Sequence, residues 1–422
     1  MRFHGPRTAL ALGVLVLLVA LVLWAAWYAS QRTTVLEVLA VLNPAGPTPA
    51  PGELTPTAAP AAAGLAPVEL AVPDRFRTGA FAEPRTLYAP AGFRVSVYAA
   101  GVPAARFFAL SPQGVPFLSL MREGRVVALP DRDRDGAADE VVTFAEGLNL
   151  PHGLAFRENH LYVAENSRVV RFRLNPDGTK AAVNPEVVVP NLPSGGGHVT
   201  RTLGFGPDGG LYVSVGSSCN LCRDDPRRAA ILRFNADGTN ESLFARGLRN
   251  AVGIVWHEGR LWATDNGRDF LGDDLPPEEV DWVRAGGDYG WPYCYGDRVP
   301  DPEYNDVLRC ARTEPPAVKM QAHSAPLGLR FYTGVRFPAD YRGDLFVAFH
   351  GSWNRRTPTG YKLVRIQGLD ASPSVEDFLT GWLVGTQAWG RPVDVLVLAD
   401  GSMLVSDDHA GAVYRVSYES TS

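Results

Sequence analysis

The chain predicts an all-β fold, a six-bladed β-propeller preceded by an N-terminal transmembrane helix and a Pro/Ala-rich linker. Three observations carry that expectation. Short apolar runs with turn signals between them recur at about 40 residues or more. Glycine (43) and proline (34) run above average usage while the apolar fraction stays ordinary at 46%, as a succession of short buried strands requires. A single uncharged apolar run stands at the start of the chain.

That run comes first. Arg2 and Arg7 precede ALALGVLVLLVALVLWAAWY, residues Ala9 to Tyr28. It is long enough to cross a bilayer and longer than the ~7–15 residues of a secretory core, which favours an uncleaved signal anchor over a cleaved peptide. Residues 1–8 are then cytoplasmic, 9–28 span the membrane, and everything beyond lies on the outer face of a cytoplasmic membrane, or is secreted if the segment is cleaved. Residues 29–75, with NPAGPTPAPGELTPTAAPAAAGLAP at their heart, read as a flexible tether.

Residues 76–422 form the globular part. HGLAFRENHLYVAENSRVVRFRLNPDGT, RTLGFGPDGGLYVSVGS with AAILRFNADGT, and VDVLVLADGSMLVSDDHAGAVYRVSY share one grammar of strand, Gly/Asp turn, L-Y-V strand and R-F or Y-R strand. VGIVWHEGRLWATDNG, GVPFLSLMREGRVVALPD and LGLRFYT through KLVRI bring the count to six units. Loops at one end of such a ring carry function, and the longest connections fall between Asn266 and Pro326.

The formal net charge of -5 and the absence of any long Lys/Arg cluster leave no electrostatic footprint for nucleic acid. Four cysteines fall as two local pairs in a domain expected outside the cytoplasm, so the simplest reading is two disulfides, Cys219–Cys222 and Cys294–Cys310. A zinc site would need all four to converge. A c-type haem would need His after Cys222, where Arg223 stands.

Several residue groups could carry chemistry. His198 follows three glycines in GGGHVTR and is either a structural histidine or a base. Arg249 and Asn250 in RGLRNAVGI occupy the equivalent place in the next unit. ATDNGRDFLGDDLPPEEVD supplies Asp265, Gly267, Arg268, Asp273 and Asp274, carboxylates and free carbonyls suited to a hard cation such as calcium. Asp131, Asp133, Asp135 and Asp139 stand at positions one, three, five and nine of a calcium-type loop with Gly136 at six, but Val142 replaces the bidentate Glu at twelve. A structural calcium and a solvated acidic turn both fit that pattern.

Taken together, LPHGLAF, FGPDGGLYVSVGSSCNLC, GLRNAVGI, DNGRDFLGDDLPPEEVD, GDYGWPYCYG, AHSAPLG, VAFHGSWNR and WGRPVDV resemble the quinoprotein sugar dehydrogenases, soluble glucose dehydrogenase-like and closest to the sorbosone/pyranose dehydrogenase group. The resemblance runs from about Gly92 to Tyr418. It implies a six-bladed propeller that holds pyrroloquinoline quinone (PQQ) over a calcium ion and oxidises a sugar or sugar aldehyde, passing electrons to a separate acceptor. By this likeness His198 is the catalytic base and Arg249, with Asn250, contacts the quinone oxygens. Arg391 contacts a cofactor carboxylate, His152 and Arg201 contact the cofactor, and the backbone carbonyls of Gly267 and Arg268 ligate the cofactor-bound calcium. His323 lies where a relative presents a substrate-facing aromatic residue.

The pattern is departed from at Gly197, where glucose-oxidising relatives carry an acid that orients the base, and in HGSWNRR, which lacks a cofactor lysine and offers Arg355 or Arg356 in its place. A calcium-dependent sugar lactonase and a cofactor-less binding propeller are the other functions this fold admits. A lactonase needs metal carboxylates at the channel instead of Arg249 and Arg391 beside His198.

Overall fold

The computed structural model describes residues 64–181 and 184–419. The expected membrane segment and most of the tether lie outside them. No described helix is long and apolar enough to cross a membrane.

Among the described residues, six four-stranded antiparallel sheets follow one another around a ring. Blade 1 is built from Ala105–Leu110, Pro116–Leu120, Arg125–Ala128 and Val142–Ala145, and blade 2 from Leu154–Arg157, His160–Ala164, Val169–Arg173 and Glu186–Val189. Blade 3 holds Arg201–Phe205, Leu211–Val215, Ala230–Phe234 and Ser242–Arg246. Blade 4 holds Ile254–His257, Arg260–Asp265, Glu278–Val283 and Val318–Met320, and blade 5 Pro326–Phe331, Leu345–Phe349, Lys362–Gln367 and Ser374–Leu379. The first strand of each blade touches the first strand of the next, and that of blade 6 returns to Ala105–Leu110, so the ring closes.

The closure is made by the chain itself. Blade 6 takes Pro392–Val397, Met403–Asp407 and Ala412–Tyr418 from the C-terminal end and its outermost strand, Phe93–Ala100, from the start of the folded region. The register runs from Phe93 opposite Tyr418 to Ala100 opposite Ala412. This removes an exposed sheet edge that would otherwise invite pairing with another chain.

Burial follows radius. Second strands are buried on both faces, as in Pro116–Leu120, Leu211–Val215 and Met403–Asp407, because each blade is covered on both sides by its neighbours. Fourth strands such as Glu186–Val189 and Ser374–Leu379 are polar and exposed at their leading residues. The apolar core therefore lies between blades. Phe117, Val126 and Ala128 of blade 1, for example, meet Leu154, Leu161 and Val163 of blade 2. Hydroxyls fasten blades together at the centre. Ser119 donates to the His152 carbonyl at 2.7 Å, Thr264 to that of Leu327 at 2.8 Å and Ser406 to that of Arg106 at 2.6 Å.

The tether was expected to run to residue 75, and here the structure corrects it. Ala66–Glu69 is already a strand, paired with Thr86–Ala89, and Leu70 is buried with Phe81 and Leu87. The alternation of VELAV, hidden at the end of a Pro/Ala-rich stretch, packs these residues onto the propeller.

Both expected disulfides are present, Cys219–Cys222 and Cys294–Cys310, which excludes a zinc site made from these thiols.

Candidate active site at one rim of the ring

First strands of the blades begin, and second strands end, at the same rim. The candidate residues gather there for that reason. His198 precedes the first strand of blade 3 and Ser217 follows its second; Arg249 and Asn250 precede blade 4, and Asp265 to Arg268 close its second strand. His323 and His350 flank the corresponding strands of blade 5, Arg391 and Asp408 those of blade 6.

His198 is half-buried. Its Nδ1 lies 2.9 Å from both the carbonyl oxygen and the Oγ of Ser217. The Ser217 hydroxyl donates its own proton to the Cys219 carbonyl at 2.7 Å, so both atoms facing Nδ1 are acceptors. Nδ1 must then carry the proton and Nε2 the lone pair. Burial, and after it the nearby Arg249, hold the imidazole pKa well below its usual value, which keeps the ring neutral.

The glycines have a structural purpose. Gly196 has φ +78°, and a Cβ there would sit 2.5 Å from the Ser218 carbonyl, so only glycine lets the loop lie against the strand end that orients His198. Gly216 is equally confined: a Cβ would meet Asn250 Oδ1 at 2.5 Å and His198 Cβ at 2.8 Å. Blades 3 and 4 thus bring His198 and the Asn250 side chain together across a glycine. The acid missing at Gly197 is replaced in its orienting role by Ser217.

Arg249 is buried and fully engaged. Nε donates to the Asn220 carbonyl at 3.0 Å, Nη1 to the carbonyls of Asn266 at 3.1 Å and Gly267 at 2.7 Å, and Nη2 to Asn220 Oδ1 at 2.9 Å and Asp269 Oδ2 at 3.4 Å. Asn220 sits inside the Cys219–Cys222 bracket, and its Oδ1 also accepts from the Asp269 amide. It is a site residue that the sequence did not disclose. The one signal for it is its enclosure between two cysteines two strands after His198.

Behind Arg249 lies a set of buried carboxylates. Asp265 accepts from the amides of Arg249 at 2.8 Å and Asn250 at 2.6 Å, and Glu278 from that of Gly267 at 2.8 Å. Burial raises Asp265 to about 7 and Glu278 and Glu279 each to about 8. Asp281, completely buried, has no hydrogen-bond partner on either oxygen among the described residues and is driven well above the usual carboxylate range by burial and by Glu279. A cavity of about 20 Å³ beside them is lined by Asp265, Gly267, Arg268, Glu279, Tyr289 and Asp301, among others. The long connection 284–317 starts at the far end of blade 4 and returns to this rim. There Asp301 accepts both a 2.9 Å and a 3.0 Å bond from Arg268 Nη1, and Trp291 Nε1 donates to the Asn220 carbonyl.

On the other side of the rim, Arg391 donates to the carbonyls of His350 and Gly351. His350 Nε2 and Asp408 Oδ1 are 2.9 Å apart, and Arg106 Nη1 reaches Asp408 Oδ2 at 2.9 Å. Burial, and then Arg391, lower His350 to about 4. This His350–Asp408–Arg106 network was not anticipated.

Other expected residues lie deeper. His152 and Arg201 are completely buried. His152 Nδ1 meets Thr202 Oγ1 at 3.1 Å, its ring lies against Phe107, and Arg201 donates to the carbonyls of Pro193, His198 and Thr200. Both side chains are enclosed by protein, and Arg201 supports the backbone of His198. His323 is also buried, and its Nε2 lies 2.8 Å from the Gly272 carbonyl, which ties it to the 266–277 loop. Arg355 and Arg356 pair with Asp274 and Asp273 at 2.9 Å. In the acidic loop, the carboxylates of Asp131, Asp133 and Asp135 converge, whereas Asp139 turns away to accept from the Arg132 amide. That loop leaves a third strand, at the end of the ring opposite the site.

The sequence model of a family described as TrAA12-like matches residues 87–419. An uncharacterized protein of Borreliella burgdorferi is 31% identical over 303 residues, 66% of this chain and 79% of that protein. A pyrroloquinoline quinone-dependent pyranose dehydrogenase of Coprinopsis cinerea is 24% identical over 408 residues, 77% of this chain; the chain spans about half of that relative, 54% of its length. The calcium structure of a Trichoderma reesei carbohydrate-active enzyme of family AA12 superposes with a TM-score of 0.68 at 24% identity, covering 78% of this chain and 96% of that one.

Proposed function

The chain belongs to the TrAA12-like family, and on that premise we propose that it is a PQQ- and calcium-dependent dehydrogenase that oxidises a sugar or sugar aldehyde. The observation that carries the reading is the His198 imidazole, neutral, fixed through Nδ1 by Ser217, and with Nε2 free of any hydrogen bond to a described residue. Such a nitrogen is a general base for a sugar hydroxyl proton at neutral pH.

The residues at the rim fit a polyanionic quinone in part. The Asn250 amide is half-exposed beside His198, and the Arg391 guanidinium keeps donors beyond those used on His350 and Gly351. Both would hold the group. Arg249, with all its donors engaged on protein oxygens, contributes a fixed positive charge next to the reacting atoms instead of a direct hydrogen bond. When bound, PQQ supplies the two-electron acceptor for the hydride that leaves the sugar carbon. The Gly267 and Arg268 carbonyls would ligate calcium; Gly267 O already accepts from Arg249 through one of its two lone pairs. Asp265, Glu278 and Glu279, which burial holds largely protonated near neutral pH, stand close by and would ionise as the cation binds.

His198 takes the hydroxyl proton at Nε2 while Ser217 continues to accept from Nδ1, so the imidazolium that forms stays hydrogen-bonded on its buried side. Electrons then pass to a separate carrier. The two disulfides support a site of action outside the cytoplasm, with Ala9–Tyr28 as the membrane anchor. The test is to load the purified protein with PQQ and calcium, offer a panel of aldoses and follow reduction of an artificial dye. Sugar-dependent reduction is expected. No reduction, together with an unchanged visible spectrum of the added quinone, contradicts the reading.

A further inference from the structure

Two loops meet over the site rim, one following the second strand of blade 4 and one following that of blade 5. Asn354 Nδ2 donates to Asp269 Oδ1 at 2.6 Å, and Asp269 Oδ2 lies 3.4 Å from Arg249. The residues that flank this bond are Phe270, immediately after Asp269, and Trp353, immediately before Asn354. They are 67% and 62% exposed, with ring centroids 6.0 Å apart and planes at 90°.

Exposed aromatic side chains are costly to leave in water, and two that meet at the mouth of a site are the feature of a contact surface. Their perpendicular rings form an apolar corner with free faces. The Asn354–Asp269 bond ties the two loops together, and Arg355 and Arg356 reach Asp274 and Asp273 at 2.9 Å across the same junction. These charged groups also set a polar rim around the rings. An apolar face bounded by hydrogen-bonding groups complements a pyranose, whose ring presents C–H bonds on its faces and hydroxyls around its edge.

We propose that Phe270 and Trp353 form a second sugar subsite, which stacks a pyranose unit attached to the one being oxidised, so that the substrate is the end of an oligosaccharide. This rests on the sugar-oxidising reading above. The polar bridge of Asp269 and Asn354 joins the subsite to Arg249 without an intervening structural element.

The experiment separates binding from turnover. Maltotriose, cellotriose and xylotriose are titrated calorimetrically into the purified full chain without cofactor, alongside glucose and xylose, for wild type and for Trp353→Ala, Phe270→Ala and Trp353→Phe. At least one trisaccharide should bind about tenfold more tightly than its monosaccharide, roughly 1.4 kcal/mol. Trp353→Ala should abolish most of that ratio and Trp353→Phe should keep part of it. Equal affinity for mono- and trisaccharides, no trisaccharide binding, or a ratio untouched by Trp353→Ala overturns the subsite. A Trp353→Ala effect confined to the Michaelis constant of the dye also overturns it, in favour of an electron-acceptor contact. Trisaccharide binding that depends on Trp353 without any PQQ-dependent dye reduction leaves the subsite standing and contradicts the dehydrogenase reading instead.

Discussion

His198 Nδ1 and the Ser217 carbonyl oxygen lie 2.9 Å apart, and the Ser217 hydroxyl, at the same distance, is turned to accept because its proton goes to Cys219. A base is thereby oriented by backbone and not by a carboxylate. The choice matters for pH. Among the described residues no adjacent acid stabilises the imidazolium, while burial and Arg249 oppose it, so the His198 pKa falls well below 6.5. The base is active when unprotonated, so rising pH cannot inactivate it.

The first prediction follows directly. The pH profile of kcat/KM should be flat from about pH 6.5 upward through neutrality and should fall only on the acid side. A descending limb centred at or above pH 6.5 on the acid side would mean that the base is a different group or is paired with an acid.

Asn220 gives the second. Its side-chain oxygen receives both Arg249 Nη2 and the Asp269 amide, tying the guanidinium to the loop that carries Gly267. Asn220→Ala removes a hydrogen bond to a charged, buried group, an interaction of about 1.5–3 kcal/mol. The expected result is a loss of about ten- to a hundredfold in kcat/KM together with a fall of a few degrees in melting temperature, since the same bonds hold the folded loop. Steady-state kinetics and a thermal melt check both halves, and unchanged kinetics would show that Arg249 is held adequately by its backbone acceptors.

Asp281 gives the third. A completely buried carboxyl with no partner on either oxygen favours the protonated form in the folded state. Its folded pKa is raised, as is that of Glu279 to about 8. The folded protein then holds more protons than the unfolded chain, and the stability linked to them is present below the ordinary carboxylate pKa and lost as pH rises toward 8 and beyond. In chelator, the melting temperature should decline from pH 5 to pH 9. Asp281→Asn should flatten that decline, raising the melting temperature by about 2–4 °C at pH 8 and by less at pH 5. A lower melting temperature for the variant at every pH would show that the carboxyl has a partner.

The propeller was legible because each blade repeats a local pattern, with turns such as NPDGT and NADGT between strands that pair with their sequence neighbours. The closing strand was not, since Phe93–Ala100 finds its partner in Ala412–Tyr418 and nothing in its own sequence names that strand. The same limit governs the site. His198, Asn250 and Arg391 occupy equivalent places ahead of blades 3, 4 and 6, and ring closure brings those places to one rim. Depth is another matter: His152 and Arg201 sit in the same motifs, yet side-chain direction takes both wholly into the interior. The His350–Asp408–Arg106 network joins three blades that are adjacent only once the ring has closed.

The most direct measurement compares wild type with His198→Gln, both loaded with PQQ and calcium to the same occupancy, judged by visible absorption, and assayed for sugar-dependent dye reduction. Equal cofactor binding with turnover lower by about 10²–10⁴ in the variant is the predicted result. Turnover within a few-fold of wild type at equal occupancy would contradict the assignment of His198 as the base.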